Sequence, residues 1–336
     1  MAKSLDFDAN DRWERLPGGV SHKDLSAVGV DSRDRVYVAS RFPDQVLVFE
    51  RDGTFVTAWG GEHLRRTHGL TVGPDDSIYV VDNGLHVVRK FAPDGTLLMT
   101  IGTPGQVTDT GYNRQGPFEI HHNETVVRSA GPFNECTNLA IAPNGDLYVS
   151  DGYGNARVHQ FSENGALVRS WGEPGTAPGQ FHLPHGIWVT TDGRVVVADR
   201  ENDRLQLFDL AGNLLDVWTD VQRPTAVTTD RDGRIYVAEL WRPQEKGQGS
   251  FTHGYASVDL PGRVSVYEPD GKLTARWGAS IEHRTDRGNF IAPHGICVDR
   301  HGDVYVTEVT YTFGVKAGRI PEERGWRQIQ KFARRG

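Results

Sequence analysis

Three histidines, His68, His185 and His294, occupy the same position of a pattern that occurs six times along the chain. In chain order, the residues at this position, which we call the slot, are Ser26, His68, Thr137, His185, Thr225 and His294. Histidine therefore appears in the second, fourth and sixth copies only. If the six copies close into a ring, the three imidazoles are evenly spaced around its axis, which favours binding of a metal ion.

The donor set limits the kind of metal. Three neutral imidazoles with one open position are typical of a catalytic zinc site. Imidazole also binds iron, copper, nickel and cobalt, so the pattern predicts zinc or another divalent transition metal such as iron. Packing along a channel is the simpler interpretation for one histidine, but the symmetric placement of His68, His185 and His294 favours a metal site.

A second set of polar residues follows the slots by fifteen or sixteen positions. Arg41 and Arg200 stand fifteen residues after their slots, and Tyr153 stands sixteen after its own. A guanidinium group offers a planar, bidentate fork to a carboxylate. A tyrosine can act as acid or base if a metal and an arginine lower its pKa. For Arg200 the competing interpretation is a structural ion pair with Glu201.

Carboxylates stand fourteen residues after most slots and are interpreted as structural, because Asp and Asn at blade turns commonly hold hairpins together. They include Asp82, Asp151 and Asp199. Arg41, Arg200 and Tyr153 are therefore the candidate catalytic residues.

The repeat predicts the elements that position these side chains. The fourth copy reads as four short strands, at His185–Val189, Arg194–Ala198, Arg204–Phe208 and Leu214–Trp218. Asp-Gly and Gly-Asn dipeptides between strands are typical of tight hairpins. Repeats of roughly 40 residues with four strands each predict propeller blades. We therefore expect an all-β, six-bladed β-propeller that forms one domain over residues 1–336.

The sixth copy begins at Pro293 and ends at Phe332, one strand short. The N-terminal segment Trp13–Leu16 precedes the first copy and reads as a strand. We predict that it supplies the outer strand of the last blade, which would remove an open sheet edge.

Three long insertions interrupt the repeat, at residues 103–135, 241–261 and 310–327. The up-and-down strand order places the slot, the end of the second strand and the exit from the fourth strand on one face. Each insertion leaves the repeat at that face, so we expect all three to surround the histidines. Loops on one face of a rigid scaffold commonly carry function.

Charge and composition restrict the partners. The formal net charge is −7 with the two signs interspersed, which argues against nucleic acid or an anionic membrane as the main partner. No run approaches the ~20 apolar residues of a membrane span. Met1–Asn10 lacks the apolar core of a signal peptide, and two cysteines do not form a disulfide framework. We expect a cytoplasmic protein.

These motifs resemble those of NHL-repeat six-bladed propellers and, within that group, the lyase domain of peptidylglycine α-amidating enzymes (peptidylamidoglycolate lyase). The densest match covers the central third, with SDGYGNAR at 150–157, PGQF at 178–181, Pro184-His185 and ADREN at 198–202. The resemblance implies zinc bound by His68, His185 and His294, with Tyr153, Arg41 and Arg200 as catalytic residues. It also implies a reaction, the cleavage of an α-hydroxyglycine carbinolamide to an amide and glyoxylate.

The chain departs from this family at two positions. The family has Asp directly after the third histidine, where it helps to hold a structural calcium, and this chain has Gly295. A structural calcium is therefore a second candidate ion, but its site would lack the aspartate ligand that the family has at position 295. Ala292 replaces a family Met two residues before the third histidine, so the floor of the pocket differs.

The leading hypothesis is a metal-dependent lyase that acts on a small carbinolamide. One alternative is a metal-dependent hydrolase or lactonase on the same site, in which the metal activates water. Another is a non-enzymatic NHL scaffold that binds a ligand or protein, since a fold does not imply a function.

Overall fold

A computed structural model describes residues 5–114, 122–244, 254, 256–280, 282–325 and 327–335. Six antiparallel four-stranded sheets form a ring, which confirms the predicted all-β, six-bladed propeller. The prediction of one domain over residues 1–336 includes residues outside these ranges and stays a prediction. None of the helices in the described part of the chain has the length and apolar character needed to cross a membrane.

The chain opens with strand β1 (Phe7–Asn10) and then forms the blades in order. The first blade contains β2 (Lys23–Val30), β3 (Val36–Phe42), β4 (Asp44–Phe49) and β5 (Phe55–Trp59). The second contains β6 (Thr67–Val72), β7 (Ile78–Asp82), β8 (Val87–Phe91) and β9 (Leu97–Ile101). The third contains β10 (Cys136–Ile141), β11 (Leu147–Asp151), β12 (Arg157–Phe161) and β13 (Leu167–Trp171).

The second half of the ring repeats this order. The fourth blade contains β14 (Pro184–Val189), β15 (Val195–Asp199), β16 (Arg204–Phe208) and β17 (Leu214–Trp218). The fifth contains β18 (Pro224–Thr229), β19 (Ile235–Glu239), β20 (Arg263–Tyr267) and β21 (Leu273–Trp277). The sixth contains β22 (Pro293–Val298), β23 (Val304–Glu308) and β24 (Ile329–Arg334). Short helical turns occur at His122–Thr125, Arg200–Asn202, Tyr311–Val315 and Glu322–Arg324.

Burial changes from the axis to the rim of each blade. In the fourth blade every residue of β15 is buried, whereas three of the five residues of β17 are exposed. The second strand is covered by neighbouring blades on both faces, so a continuous apolar run such as Val195–Ala198 is stable there. Apolar side chains from adjacent blades interlock between the sheets, as Tyr37 and Ala39 do with Ile78 and Val80.

The N-terminus closes the ring, but not through the predicted segment. Strand β1 pairs antiparallel with β24, with Phe7 opposite Arg334, so the last blade is completed by an N-terminal strand. Trp13–Leu16 does not supply this strand. Trp13 is instead buried against Phe49 and Tyr305 between the first and last blades, and its indole donates to the Arg51 carbonyl.

Described residues of the first and third insertions lie on the histidine face, and Trp241 of the second packs against Phe313 of the third. Tyr112 and Glu135 from the first insertion and Phe313 from the third line one cavity there. The backbone N–H of Thr312 donates to Asp24, which ties the third insertion to the start of the first blade. Residues 115–121, 245–253, 255 and 326 of the three insertions lie outside the described residues.

Candidate metal centre

The three slot histidines converge on the axis of the ring. One ring nitrogen of each of His68, His185 and His294 lies within 4.8 Å of those of the other two. Their ring centroids are 4.7 to 4.8 Å apart, and each residue is at most 4% exposed. Within the described part of the chain, no other cluster of three or more His, Cys, Asp or Glu side chains meets the geometry for holding a metal.

A β-bulge directs each slot side chain toward the axis. In all six innermost strands the slot residue is the one skipped in the pairing with the second strand, as His185 is between the pairs Pro184–Asp199 and Gly186–Ala198. A bulge leaves one residue unpaired and re-aims its side chain. The repeated spacing therefore reflects a repeated backbone irregularity that turns six side chains inward.

Each histidine is held by the next blade. The Nδ1 atoms of His68, His185 and His294 lie 2.7, 2.6 and 2.7 Å from the slot carbonyls of Thr137, Thr225 and Ser26, respectively. A carbonyl oxygen only accepts, so Nδ1 carries the proton in each ring. Nε2 is then unprotonated and faces the axis, as in metal sites where an outer hydrogen bond fixes the tautomer.

The hydroxyl slots complete the ring in the same direction. Thr137 Oγ1 and Thr225 Oγ1 lie within hydrogen-bonding distance of the Pro184 and Pro293 carbonyls, at 2.9 and 3.0 Å. Each shares its one proton with a carbonyl of its own blade at 3.0 Å, that of Ser150 or Ala238. Ser26 Oγ donates to the Thr67 carbonyl at 3.2 Å. In the sequence, Pro184, Pro293 and Thr67 each directly precede the histidine of the next blade. Hydrogen bonds therefore link each histidine to the hydroxyl slot of the next blade, and that hydroxyl slot to the histidine blade that follows it.

Glycine after each histidine permits this close approach. A Cβ on Gly186 would lie 2.7 Å from the Thr225 carbonyl oxygen, and one on Gly69 would lie 2.8 Å from the Thr137 carbonyl oxygen. Both acceptors also receive the hydrogen bond from the preceding histidine. A side chain at either glycine would therefore push the neighbouring blade away from the imidazole.

The chemistry of these donors fits a divalent transition metal. Burial lowers the pKa of His68, His185 and His294 well below the usual value, assisted by the charge of Arg41 beside His68 and His294 and of Arg200 beside His185. The imidazoles are therefore neutral, the form that binds metal. Three buried, neutral Nε2 donors with fixed tautomers match a three-histidine zinc or iron site.

Tyr153 lies directly against the histidines. Its hydroxyl is 3.1 Å from His68 Nε2 and 3.4 Å from His185 Nε2, and Arg200 Nη1 donates to it at 3.4 Å. Burial raises the pKa of Tyr153, but the charges of Arg200, Arg41 and Arg66 outweigh burial and lower it overall. The structure thus brings this predicted residue within hydrogen-bonding distance of two of the three histidine Nε2 atoms.

Arg41 and Arg200 lie beside the same centre but differ in their partners. Arg41 Nη2 is 3.2 Å from His294 Nε2, and no carboxylate among the described residues lies within ion-pair distance of Arg41. Arg200 Nε donates to Glu201 at 2.6 Å, the structural pairing considered from the sequence, while its Nη1 reaches Tyr153. Arg200 is therefore both paired and directed at the centre.

The carboxylates fourteen residues after the slots hold backbone, as interpreted. Asp82 accepts from the backbone N–H of Arg65 and Arg66, Asp151 from that of Asn134, and Asp199 from that of His182. Each fixes the segment that leads into an innermost strand. None of these contacts is to the three histidines.

Comparison with known proteins identifies the family. The NHL repeat model matches residues 133–161 and 181–208, which include β10–β12 and β14–β16. NHL repeat-containing protein 3 of Mus musculus is 31% identical over 324 residues, which cover 91% of this chain and 78% of that protein. The chain belongs to the NHL repeat-containing protein family.

The resemblance to amidating lyases is also confirmed. Peptidyl-alpha-hydroxyglycine alpha-amidating lyase 1 of Drosophila melanogaster is 33% identical over 162 residues, 45% of this NHL-repeat chain and 26% of that protein. A solved structure of a putative gluconolactonase has a TM-score of 0.59 at 14% identity and covers 98% of this chain and 94% of that one. At 14% identity, the similarity to the putative gluconolactonase shows a shared fold and nothing about function.

The NHL-repeat protein has a basic cavity above the histidines that the sequence reasoning did not find. The cavity has a volume of about 440 Å³ and includes Arg41, Tyr153, Arg200 and His294 in its lining. Its other polar lining residues are Arg66, Tyr112, Arg114, Glu135, Arg223, Thr312 and Arg319. A smaller cavity of about 160 Å³ lies on the other side of the histidines along the axis.

Several of the missed residues share one repeat position. Arg66, Glu135, Leu183 and Arg223 each stand two residues before a slot, and all line the upper cavity. Glu135, Leu183 and Arg223 have φ values of 57°, 65° and 37°, in the left-handed region that side chains rarely adopt. Strain of this kind is concentrated at functional sites. These residues could have been identified from the sequence by also comparing the six copies at the position two residues before the slot.

Of the two departures from the amidating family, Gly295 and Ala292, the structure explains the first. A Cβ on Gly295 would lie 2.5 Å from Thr307 Oγ1 and 2.7 Å from Ala27 Cα, so an aspartate there requires the neighbouring blade to shift. Ala292 is fully buried. The calcium candidate stays a prediction.

Proposed function

We propose that this NHL-repeat protein is a metal-dependent lyase that cleaves the C–N bond of a small α-hydroxyglycine-type carbinolamide. The products are an amide and glyoxylate. The observation that carries the proposal is the Tyr153 hydroxyl, which lies 3.1 Å from His68 Nε2 and 3.4 Å from Arg200 Nη1. This position places one acid–base group between the metal-ligand atoms and a guanidinium. The amidating-lyase relative supports the same reaction type.

The three histidine Nε2 atoms would hold the metal, zinc or another such as iron. A metal bound there would supply a Lewis acid that lowers the pKa of the substrate hydroxyl. The Nδ1 hydrogen bonds to Thr137, Thr225 and Ser26 keep the three rings in the ligating tautomer. Burial of these rings excludes bulk water from the centre.

Arg41 and Arg200 bind and orient the substrate carboxylate. Arg41 has no carboxylate partner in the described chain, so an anionic substrate would supply the missing countercharge. Arg200 is fixed by Glu201 on one edge and presents the other edge to Tyr153. Two guanidinium groups beside one metal centre restrain the hydroxyl-bearing carbon relative to Tyr153.

Tyr153 then moves one proton. As phenolate it removes the proton of the substrate hydroxyl, and the electron pair of that O–H bond forms the carbonyl of glyoxylate as the C–N bond breaks. The departing amide nitrogen takes the proton back from Tyr153. The atoms and charges balance without an added oxidant or water molecule.

The decisive experiment measures glyoxylate released from α-hydroxyhippurate by the zinc-loaded protein. Tyr153→Phe is expected to lower kcat roughly 10²- to 10⁴-fold, the usual contribution of a general acid–base group. Tyr148→Phe is the matched control in the same blade, because the Tyr148 hydroxyl donates to the Leu210 carbonyl instead. It is expected to keep the wild-type rate.

Two results would contradict the proposal. One is purified protein without stoichiometric transition metal, measured by elemental analysis. The other is full activity in Tyr153→Phe combined with Arg41→Ala. Hydrolysis of gluconolactone with no release of glyoxylate would instead support the hydrolase alternative.

A further inference from the structure

The upper cavity contains more positive charge than one substrate carboxylate requires. Among the residues that the structure describes, Glu135 is the only carboxylate in the lining. Six described arginines line the cavity: Arg41, Arg66, Arg114, Arg200, Arg223 and Arg319. The chain as a whole carries a net charge of −7, so this concentration is local and opposite in sign to the protein. Lining of one charge sign attracts ligands of the other.

The nearby carboxylates are already engaged. Glu135 Oε1 lies 3.0 Å from Arg114 Nη1, and Glu201 Oε1 lies 2.6 Å from Arg200 Nε and 3.0 Å from Arg223 Nη2. Asp24 accepts from the backbone N–H of Thr312. Each acid is thus shared or tied to backbone and does not neutralise the whole set.

Arg66 is a cavity arginine whose head group has no close acceptor on Nη1. Its nearest carboxylate oxygen, Glu135 Oε2, is 4.0 Å from Nη1, which is beyond hydrogen-bonding distance. Nη1 has no hydrogen-bond acceptor within the described chain, and the side chain as a whole is 37% exposed. A guanidinium placed in this way at the cavity wall can turn toward an anionic ligand that supplies the acceptor.

The rest of the lining suits a small carbon skeleton. Leu183, Leu240, Val309 and Phe313 supply apolar surface within the cavity. A volume of about 440 Å³ is within the range of small-molecule sites. The cavity therefore combines an apolar wall with anion-binding groups on more than one side.

We propose that the substrate carries a second acid group, a carboxylate or phosphate on its acyl part, and that Arg66 binds it. Arg41 and Arg200 are left for the carboxylate next to the reacting carbon. The assignment to the acyl part rests on the proposed lyase function, whereas the preference for a second anion rests on the cavity alone.

The test compares binding of amides that correspond to the acyl-side product, by titration calorimetry on the zinc-loaded protein. The wild type is expected to bind 3-carboxybenzamide or 3-phosphonobenzamide about tenfold more tightly than benzamide, because a charge-assisted hydrogen bond forms. The tighter of the two acids identifies the group. Arg66→Gln is expected to remove most of the preference, and Arg66→Lys to restore part of it.

Arg128→Gln is the matched control, since Arg128 is an exposed arginine of the first insertion that pairs with Asp109 outside the cavity. It should keep the wild-type ratio. Equal binding of acid and neutral amides would overturn the proposal, and a preference unchanged in Arg66→Gln would overturn the role of Arg66. Absence of turnover with a retained preference would overturn the lyase function only.

Discussion

The histidine slots and the hydroxyl slots occupy equivalent bulges but have different tasks. Histidines of the second, fourth and sixth blades present Nε2 to the axis and donate from Nδ1 to the following slot. Ser26, Thr137 and Thr225 present a hydroxyl that donates to the carbonyl before the next histidine. The blades without ligands therefore fix the orientation of those with ligands. Alternate blades divide one site between metal binding and inter-blade connection.

We expect the largest effect on metal content and activity from replacing a histidine at its slot. His185→Ala removes one of three metal ligands, so we expect loss of stoichiometric metal and of lyase activity, measured by elemental analysis and glyoxylate release. Removal of the metal from the wild type with a chelator should have the same effect and be reversed by zinc. Metal retained at wild-type stoichiometry in His185→Ala would contradict the comparison.

A smaller effect is expected where a histidine blade meets a hydroxyl blade. In Gly186→Ala the new Cβ would lie 2.7 Å from the Thr225 carbonyl oxygen, which is also the acceptor for His185. We expect destabilisation of about 1–3 kcal/mol from overpacking, together with weaker metal binding. Urea unfolding and zinc competition measure both. Gly18→Ala, where a Cβ meets nothing within 4 Å, should change neither.

The smallest effect is expected at a hydroxyl slot itself. Thr225→Val keeps the shape but removes the hydrogen bond to the Pro293 carbonyl, so we expect a loss of about 1 kcal/mol in the free energy of unfolding. Metal stoichiometry should stay at the wild-type value. Thr225→Ser preserves the hydroxyl and serves as the control. Metal loss in Thr225→Val equal to that in His185→Ala would show that the slots do not divide their tasks.

Counting along the repeat was enough to predict the ring and the convergence of its histidines. The interval that places His68, His185 and His294 in alternate copies is a property of sequence, and four strands per copy leave little choice of fold. Asp82, Asp151 and Asp199 were also interpreted as structural, and each accepts from a backbone N–H of the segment that leads into an innermost strand. The roles of Tyr153, Arg41 and Arg200 in catalysis stay predictions.

Three features of the structure depend on tertiary packing and could not be predicted from the sequence: the bulges at the slots, the identity of the closing strand and the convergence of the second blade and the third insertion on the upper cavity. The bulge at each slot depends on pairing between strands and has no residue signature of its own. Trp13–Leu16 was placed in the closing strand because it precedes the first copy and reads as a strand. The Trp13 side chain instead packs between the first and last blades, and Phe7–Asn10 forms the strand. Arg66 and Arg319 line one cavity because the second blade and the third insertion border the same space.

The pairing of β1 with β24 implies that the three histidines could bind a metal together only late in folding. The sheet that carries His294 is complete only when residues from opposite ends of the chain meet, with Phe7 opposite Arg334. During synthesis, His68 and His185 emerge long before their third partner is anchored. An ion held by all three histidines would therefore mark a finished ring, and its dissociation rate would report how often the two ends of the chain separate.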